Sequence, residues 1–132
     1  MTPEQREALI QAAIHARQHA YVPYSNYPVG AALLTPSGEI ITGCNIENAA
    51  YGPTMCAERC AVFKAVSEGQ RAFKAIAVVT ENAGSPCGTC RQVLFEFAPE
   101  ALVIIADTDG AVHKEFTVNQ LLPRGFGPDS LP

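Results

Sequence analysis

The sequence predicts a single-domain α/β protein in which helices cover a largely buried sheet. The chain has 132 residues, which is enough for one hydrophobic core. Its composition, 48% apolar and 17% charged, is typical of a globular protein. Helix-like and strand-like apolar spacings follow one another in the order α, β, β, α, β, α, β, β, α. This order is typical of one layered domain.

The first half of the chain predicts a helix, a hairpin and a second helix. Residues 2–5 contain a capping threonine, a first-turn proline and a glutamine that closes a capping box, and the helix is expected to run to about residue 19. Two β-favouring runs, residues 29–34 and 40–46, flank a Pro-Ser-Gly turn and predict a hairpin. The apolar spacing of residues 55–67 predicts a buried helix.

The second half predicts a buried strand, a helix, two further strands and a short helix. In chain order these are residues 75–80, 86–97, 102–106, 112–116 and 117–122. The remaining residues, 123–132, are rich in Gly and Pro, and we expect an extended tail there.

Charge and hydropathy narrow the range of partners. The formal net charge is -4 with only nine Lys and Arg, which argues against a surface that follows the phosphates of a long nucleic acid. The first twenty residues carry charges every few positions, so we expect neither a signal peptide nor a membrane span. These features predict a cytoplasmic protein that acts on a small molecule.

Two short segments, Cys-Ala-Glu at 56–58 and Pro-Cys-Gly-Thr-Cys at 86–90, offer three thiolates and one carboxylate. Cysteines in a chain without an export signal are usually reduced or metal-bound. A hydrolytic zinc takes three protein ligands and leaves a fourth position for water, whereas a structural zinc is closed by four. We therefore predict that Cys56, Cys87 and Cys90 hold Zn²⁺, because three thiolates alone do not complete a common iron–sulfur pattern.

Glu58 and Arg59 follow the first of these cysteines, and each has a predicted role. Glu58 is the candidate catalytic acid and base, because one carboxylic acid can serve successive proton transfers if it reaches both atoms. Three thiolates on a divalent ion leave excess negative charge, so Arg59 is expected to donate a hydrogen bond to a cysteine sulfur. The alternative for Arg59 is a solvated side chain paired with a surface carboxylate.

The remaining cysteines and the three histidines are assigned no ligand role. Cys44 and Cys60 are expected to pack as small apolar groups. Two alternatives to a catalytic zinc site stay open. The spacing of Cys87 and Cys90 at a helix start also suits a thiol redox protein. A non-catalytic zinc module would recruit Cys44 or Cys60 as a fourth ligand.

Longer stretches around these motifs resemble the small homotetrameric cytidine deaminases. The resemblance spans nearly the whole chain and is carried by residues 56–59, 86–92, 21–25, 28–32, 43–51 and 121–123. It implies a three-layer α/β/α fold with a five-stranded mixed sheet, a zinc cofactor, and hydrolytic deamination of cytidine and 2′-deoxycytidine. It also implies a homotetramer whose active sites are completed by neighbouring subunits. An aminopyrimidine antibiotic such as blasticidin S is the alternative substrate.

The resemblance also implies roles for residues outside the metal motif. Asn45 and Glu47 are expected to hydrogen-bond the ribose hydroxyls, where ordinary loop capping would otherwise be preferred. The Ala57 backbone, together with Glu58, is expected to read the edge of the pyrimidine. Phe126 is similar to the aromatic residue that reaches the base bound by a neighbouring subunit.

Three further positions belong to the comparison with the family, and Arg124 and Gly125 also differ from its usual pattern. Ala49 and Tyr51 are similar to residues that contribute to a subunit interface. Tyr27 departs from the family, which usually has Phe at this position. We expect its ring to stack on the base or sugar as the Phe does, while its added hydroxyl needs a hydrogen-bond partner if it is buried.

Overall fold

A computed structural model of the chain describes residues 1–132 and contains the nine predicted elements in the predicted order. The elements are α1 (Pro3–Arg17), β1 (Gly30–Leu34), β2 (Ile40–Cys44), α2 (Ala57–Ser67), β3 (Ala75–Val79), α3 (Gly88–Phe97), β4 (Leu102–Ala106), β5 (Val112–Thr117) and α4 (Val118–Leu121). A short 3₁₀ turn at Pro128–Ser130 follows them. None of the helices has the length and apolar character needed to span a membrane.

The five strands form one mixed sheet in the order β2-β1-β3-β4-β5. β3 and β4 run parallel, and the other three neighbouring pairs are antiparallel. Parallel neighbours need a crossover connection, and α3 provides it between β3 and β4. The carboxyl end of β3 therefore leads, through a loop, into the start of α3.

Helices cover both faces of the sheet, which confirms the three-layer α/β/α fold. The central strands β1 and β3 are buried at every position, as expected for strands with helices on both sides. On one face, α1 packs Leu9 and Ala13 against the sheet. On the other face, the core contains Val62 of α2, Leu94 of α3 and Val118 of α4.

The two helices that carry the predicted metal ligands begin about two residues later than the sequence suggests. α2 begins at Ala57 and α3 at Gly88. Cys56 and Cys87 are their N-cap residues, with extended backbone at ψ 154° and 169°. Because a helix N-terminus has unpaired N–H groups and a partial positive charge, both sulfurs lie where a thiolate is favoured.

β2 approaches the first turns of α2 closely, and Gly43 makes this approach possible. A Cβ atom at Gly43 would lie 2.5 Å from Ala61 N and 2.6 Å from Ala57 O, closer than real Cβ atoms come to the backbone. The strand therefore rests directly on the helix backbone. This contact holds α2, with Cys56 and Glu58 at its start, in position relative to the sheet.

Candidate active site and metal centre

Three sulfur atoms meet where the N-termini of α2 and α3 converge. The Sγ atoms of Cys56, Cys87 and Cys90 all lie within 4.8 Å of one another. Cys56 Sγ is 3.8 Å from Cys87 Sγ, which is 3.4 Å from Cys90 Sγ. A tetrahedral zinc with Zn–S bonds of about 2.3 Å has sulfur–sulfur distances of about 3.8 Å. The donor set and its spacing therefore fit a zinc ion.

Hydrogen bonds within the cluster shift the pKa values of Cys56 and Cys90 in opposite directions. A hydrogen bond from Cys90 lowers the pKa of Cys56 to about 5, burial opposes this shift, and a hydrogen bond from Arg59 adds to it. Arg59 Nη2 lies 3.1 Å from Cys56 Sγ, which is the contact on which the predicted role of Arg59 depends. The same bond to Cys56 and full burial raise the pKa of Cys90. A divalent cation bound by the cluster would favour the thiolate form of its ligands.

Glu58 lies beside the sulfurs in the first turn of α2 and is only 4% exposed. Burial raises the pKa of Glu58 to about 7, a hydrogen bond from its own backbone N–H opposes this, and the negative Cys56 sulfur adds to it. A carboxyl group with a pKa near neutrality can both accept and donate a proton at pH 7.

A cavity of about 290 Å³ opens beside this cluster and is lined by fourteen residues. This volume is at the lower end of the range for small-molecule sites. Six of the lining residues are predicted site residues, namely Tyr27, Asn45, Glu47, Cys56, Glu58 and Cys87. None of the fourteen is Lys or Arg. The cavity thus joins the sulfur cluster to the predicted sugar-binding side chains without offering a cation.

Asn45 and Glu47 are held in the cavity wall by backbone groups of the loop between α1 and β1. Asn45 Oδ1 accepts a hydrogen bond from Val29 N at 2.8 Å, and its Nδ2 donates to Tyr27 O at 2.9 Å. Glu47 Oε1 accepts from Tyr24 N at 3.0 Å and also from the next backbone N–H at 3.1 Å. These bonds are loop-capping contacts, and they orient both side chains rigidly.

The other predicted site residues lie outside this cavity. Ala57 is fully buried as the first residue of α2. Phe126 is 58% exposed, and its carbonyl accepts a hydrogen bond from Gln92 Nε2 at 2.8 Å, so the tail turns back onto α3. Ala49 is exposed, and Tyr51 is 74% exposed. None of these three exposed residues lines the cavity of its own chain.

Cys44 and Cys60 lie away from the three-sulfur cluster. They line a separate cavity between α1, β2 and α2, together with His15 and His19. Burial raises the pKa of Cys44, as expected for a thiol that packs as an apolar group. The cluster therefore offers three sulfurs rather than four, and the geometry gives no support to a closed four-thiolate zinc module.

Eight of the cavity-lining residues had no role assigned from the sequence. They are Ser25, Val29, Thr54, Met55, Val78, Thr80, Gly84 and Ser85. Thr80 is the most informative of these, since it is only 3% exposed and its Oγ1 accepts a hydrogen bond from Gly84 N at 2.6 Å. The available signal was a polar residue directly after a buried strand, because carboxyl ends of parallel strands commonly border binding sites.

Comparison with known proteins gives concordant matches. Residues 3–106 match the family model described as the cytidine and deoxycytidylate deaminase zinc-binding region. The chain is 53% identical to a cytidine deaminase of Sporosarcina psychrophila over 128 residues, 95% of this chain and 93% of the relative. The crystal structure of cytidine deaminase from Burkholderia pseudomallei superposes with a TM-score of 0.87 at 48% identity, covering 96% of this chain and 100% of that one. A blasticidin-S deaminase of Bacillus cereus is 36% identical over 109 residues, 75% of this chain and 76% of that protein.

Proposed function

Because this chain belongs to the family of cytidine and deoxycytidylate deaminases, we propose that it hydrolyses cytidine and 2′-deoxycytidine to the uridine products and ammonia. The observation that carries the proposal is a buried carboxyl group, Glu58, beside three clustered sulfurs at the wall of a cavity. A metal site with an adjacent proton carrier is the machinery that hydrolysis of an amidine ring requires.

Cys56, Cys87 and Cys90 are the proposed zinc ligands. A zinc ion held by these residues would lower the pKa of a bound water from about 15.7 to about 7 and so provide hydroxide near neutral pH. Arg59 supports the ligand set, because its hydrogen bond to Cys56 Sγ withdraws negative charge from that sulfur.

Glu58 is the proposed carrier of both protons. It takes one proton from the attacking water and gives it to the ring nitrogen next to C4, which makes C4 easier to attack. It then takes the remaining proton of the added hydroxyl and passes it to the amino group, so that the C4–N bond breaks and ammonia leaves. The burial of Glu58 and its place in the cavity lining support this role, which requires one carboxyl group to reach both atoms.

Asn45 and Glu47 are the proposed ligands of the ribose hydroxyls, and the Ala57 backbone is the proposed donor to the pyrimidine edge. Backbone N–H groups in the first turn of a helix have no partner within the helix, which suits this role for Ala57. We assign unphosphorylated nucleosides rather than nucleotides as substrates. The cavity lining has no Lys or Arg to bind a phosphate, and the Glu47 carboxylate would repel one.

A homotetramer with shared active sites is the proposed assembly. Phe126 is exposed and lies outside the cavity of its own chain, so a role on the base requires the cavity of another subunit. Tyr51, with the exposed side chains of Tyr24 and Ile46, provides apolar surface suited to a subunit interface, and we place Ala49 in the same interface. The five free cysteines suit a reducing compartment, and the cytoplasm is the proposed location.

Two other functions have weaker support. A thiol redox role uses only Cys87 and Cys90, whereas the structure adds Cys56 to the same cluster. An aminopyrimidine antibiotic as substrate is supported by the likeness to a blasticidin-S deaminase, at lower identity than the likeness to cytidine deaminases. Competition between blasticidin S and cytidine for the same enzyme distinguishes these substrates.

The test of the proposal is the Glu58→Gln variant, assayed by the loss of cytidine absorbance. Glu68→Gln is the matched control, because Glu68 is an exposed carboxylate at the other end of the same helix. We expect Glu58→Gln to fold and bind zinc while its turnover falls by about 10² to 10⁴, the range for loss of acid–base help. Undiminished turnover would remove Glu58 from the mechanism.

A further inference from the structure

Tyr27 and Asn82 connect two loops that both contribute residues to the cavity wall. The Tyr27 hydroxyl donates a hydrogen bond to Asn82 Oδ1 at 2.5 Å. The Tyr27 ring is half-buried and lines the cavity. Asn82 lies in the loop between β3 and α3, which ends at the predicted zinc ligand Cys87. The hydroxyl that distinguishes Tyr27 from Phe therefore has a specific partner 55 positions away.

Further hydrogen bonds extend from both members of this pair to other residues of the cavity wall. On one side, the carbonyl of Tyr27 accepts from Asn45 Nδ2 at 2.9 Å. On the other side, Asn82 Oδ1 lies 3.5 Å from Thr80 Oγ1, which accepts from Gly84 N at 2.6 Å. The connected groups run from a proposed ribose ligand, through Tyr27, to the loop that leads to the metal site.

The Tyr27 hydroxyl packs closely against the loop between β3 and α3. A Cβ atom at Gly84 would lie 2.7 Å from Tyr27 Oη, so the hydroxyl occupies the space that a side chain would need. Ala83, next to Asn82, has a positive φ of 55°, a conformation that costs energy for a residue other than Gly. The loop conformation thus depends on contacts with its neighbours, and the bond to Tyr27 is one of them.

We propose that the hydrogen bond between Tyr27 and Asn82 acts as a clasp that sets the cavity width before the nucleoside binds, with both residues as positioning residues. The proposal rests on the proposed function and deepens it. When the clasp is intact, the loop that contains Thr80 and Gly84 is already ordered against the Tyr27 ring. When it is broken, substrate binding has to order this loop, which weakens binding of the ground state and the transition state alike.

The test compares Tyr27→Phe and Asn82→Ala with two controls. Asn82→Asp keeps an acceptor oxygen for the Tyr27 hydroxyl, and Tyr21→Phe removes a hydroxyl from an exposed tyrosine outside the cavity. The first measurement is amide hydrogen exchange of residues 80–86 in zinc-loaded protein without substrate. We expect faster exchange there in Tyr27→Phe and Asn82→Ala, with wild-type exchange in Asn82→Asp and Tyr21→Phe. Equal exchange in all four variants overturns the clasp, whether or not the protein deaminates cytidine.

The second measurement is steady-state kinetics with cytidine. We expect KM to rise by about 2- to 12-fold in Tyr27→Phe and in Asn82→Ala, the range for one hydrogen bond, with kcat almost unchanged. The double variant is expected to be no worse than either single variant, because both remove the same interaction. KM increases that add in the double variant, or a fall in kcat at constant KM, overturn the proposal. A wild-type protein that does not deaminate cytidine contradicts the proposed function, and the hydrogen-exchange result then decides whether the clasp exists.

Discussion

The close packing of β2 on α2 predicts a specific defect in the variant Gly43→Ala. The new Cβ would lie 2.5 Å from Ala61 N, roughly 1 Å inside the ordinary contact distance, and the neighbour is backbone that cannot rotate away. Overpacking usually costs about 1–3 kcal/mol in free energy of unfolding. For a chain of 132 residues this corresponds to a Tm lower by about 4–11 °C. Because Cys56 and Glu58 begin the same helix, we also expect weaker zinc retention.

Gly52→Ala is the matched control for this variant. A Cβ at Gly52 would meet only Ala50 O, at 4.0 Å, and the two substitutions restrict the unfolded chain in the same way. Thermal unfolding followed by circular dichroism measures both Tm values, and zinc content is measured after gel filtration. If the Tm of Gly43→Ala lies within about 1 °C of that of Gly52→Ala, the close contact of β2 does not hold α2 in position.

Three other predictions concern single side chains. Arg59→Gln is expected to bind zinc about 10- to 100-fold more weakly, as measured by competition with a chelator, because it loses the hydrogen bond to Cys56 Sγ. Arg71→Gln is the control at an exposed site. Equal zinc affinity in the two variants would refute this prediction. Phe126→Ala is expected to raise KM for cytidine without changing zinc content, and wild-type kinetics would show that Phe126 reaches no active site. The hydrogen bond from His113 Nε2 to Asp107 Oδ2, at 2.7 Å, lowers the pKa of Asp107. This bond therefore contributes stability above about pH 4 that is lost as the pH falls through the folded-state pKa. Asp107→Asn should be less stable than wild type in urea at pH 7, and the difference should shrink as the pH is lowered below about 4. A difference that stays constant with pH would contradict the assignment.

Local signals in the sequence were sufficient for the order of the elements and for the first helix. Thr2 Oγ1 accepts from Gln5 N, and Gln5 Oε1 accepts from Thr2 N, each at 3.0 Å, as the capping-box pattern predicts. The starts of α2 and α3 were predicted too early because cysteine is not among the usual N-cap residues. Cys87 Sγ caps its helix by accepting a hydrogen bond from Cys90 N at 3.5 Å, whereas Cys56 makes no capping bond, and both sulfurs belong to the three-sulfur cluster.

The cysteine cluster was predictable because its ligands fall in two short motifs, whereas eight of the fourteen residues that line the cavity were assigned no role from the sequence. The bond between Tyr27 and Asn82 joins residues 55 positions apart, in loops without apolar periodicity. Thr80 offered only a weak local signal. Gly125 and Gly127 show the same limit in the tail, where a Cβ atom at either position would lie 2.9 Å from the ring of Phe95. Contacts of this kind are fixed by tertiary packing, which a single sequence does not display.

The most direct test of the account is the zinc content per chain measured beside cytidine turnover in the same samples. Protein stripped by a chelator and then titrated with zinc should regain ammonia release in proportion to zinc bound, up to one ion per chain. A protein that carries one zinc per chain and releases no ammonia from cytidine or 2′-deoxycytidine would contradict the account. Full turnover in the stripped protein would contradict it equally.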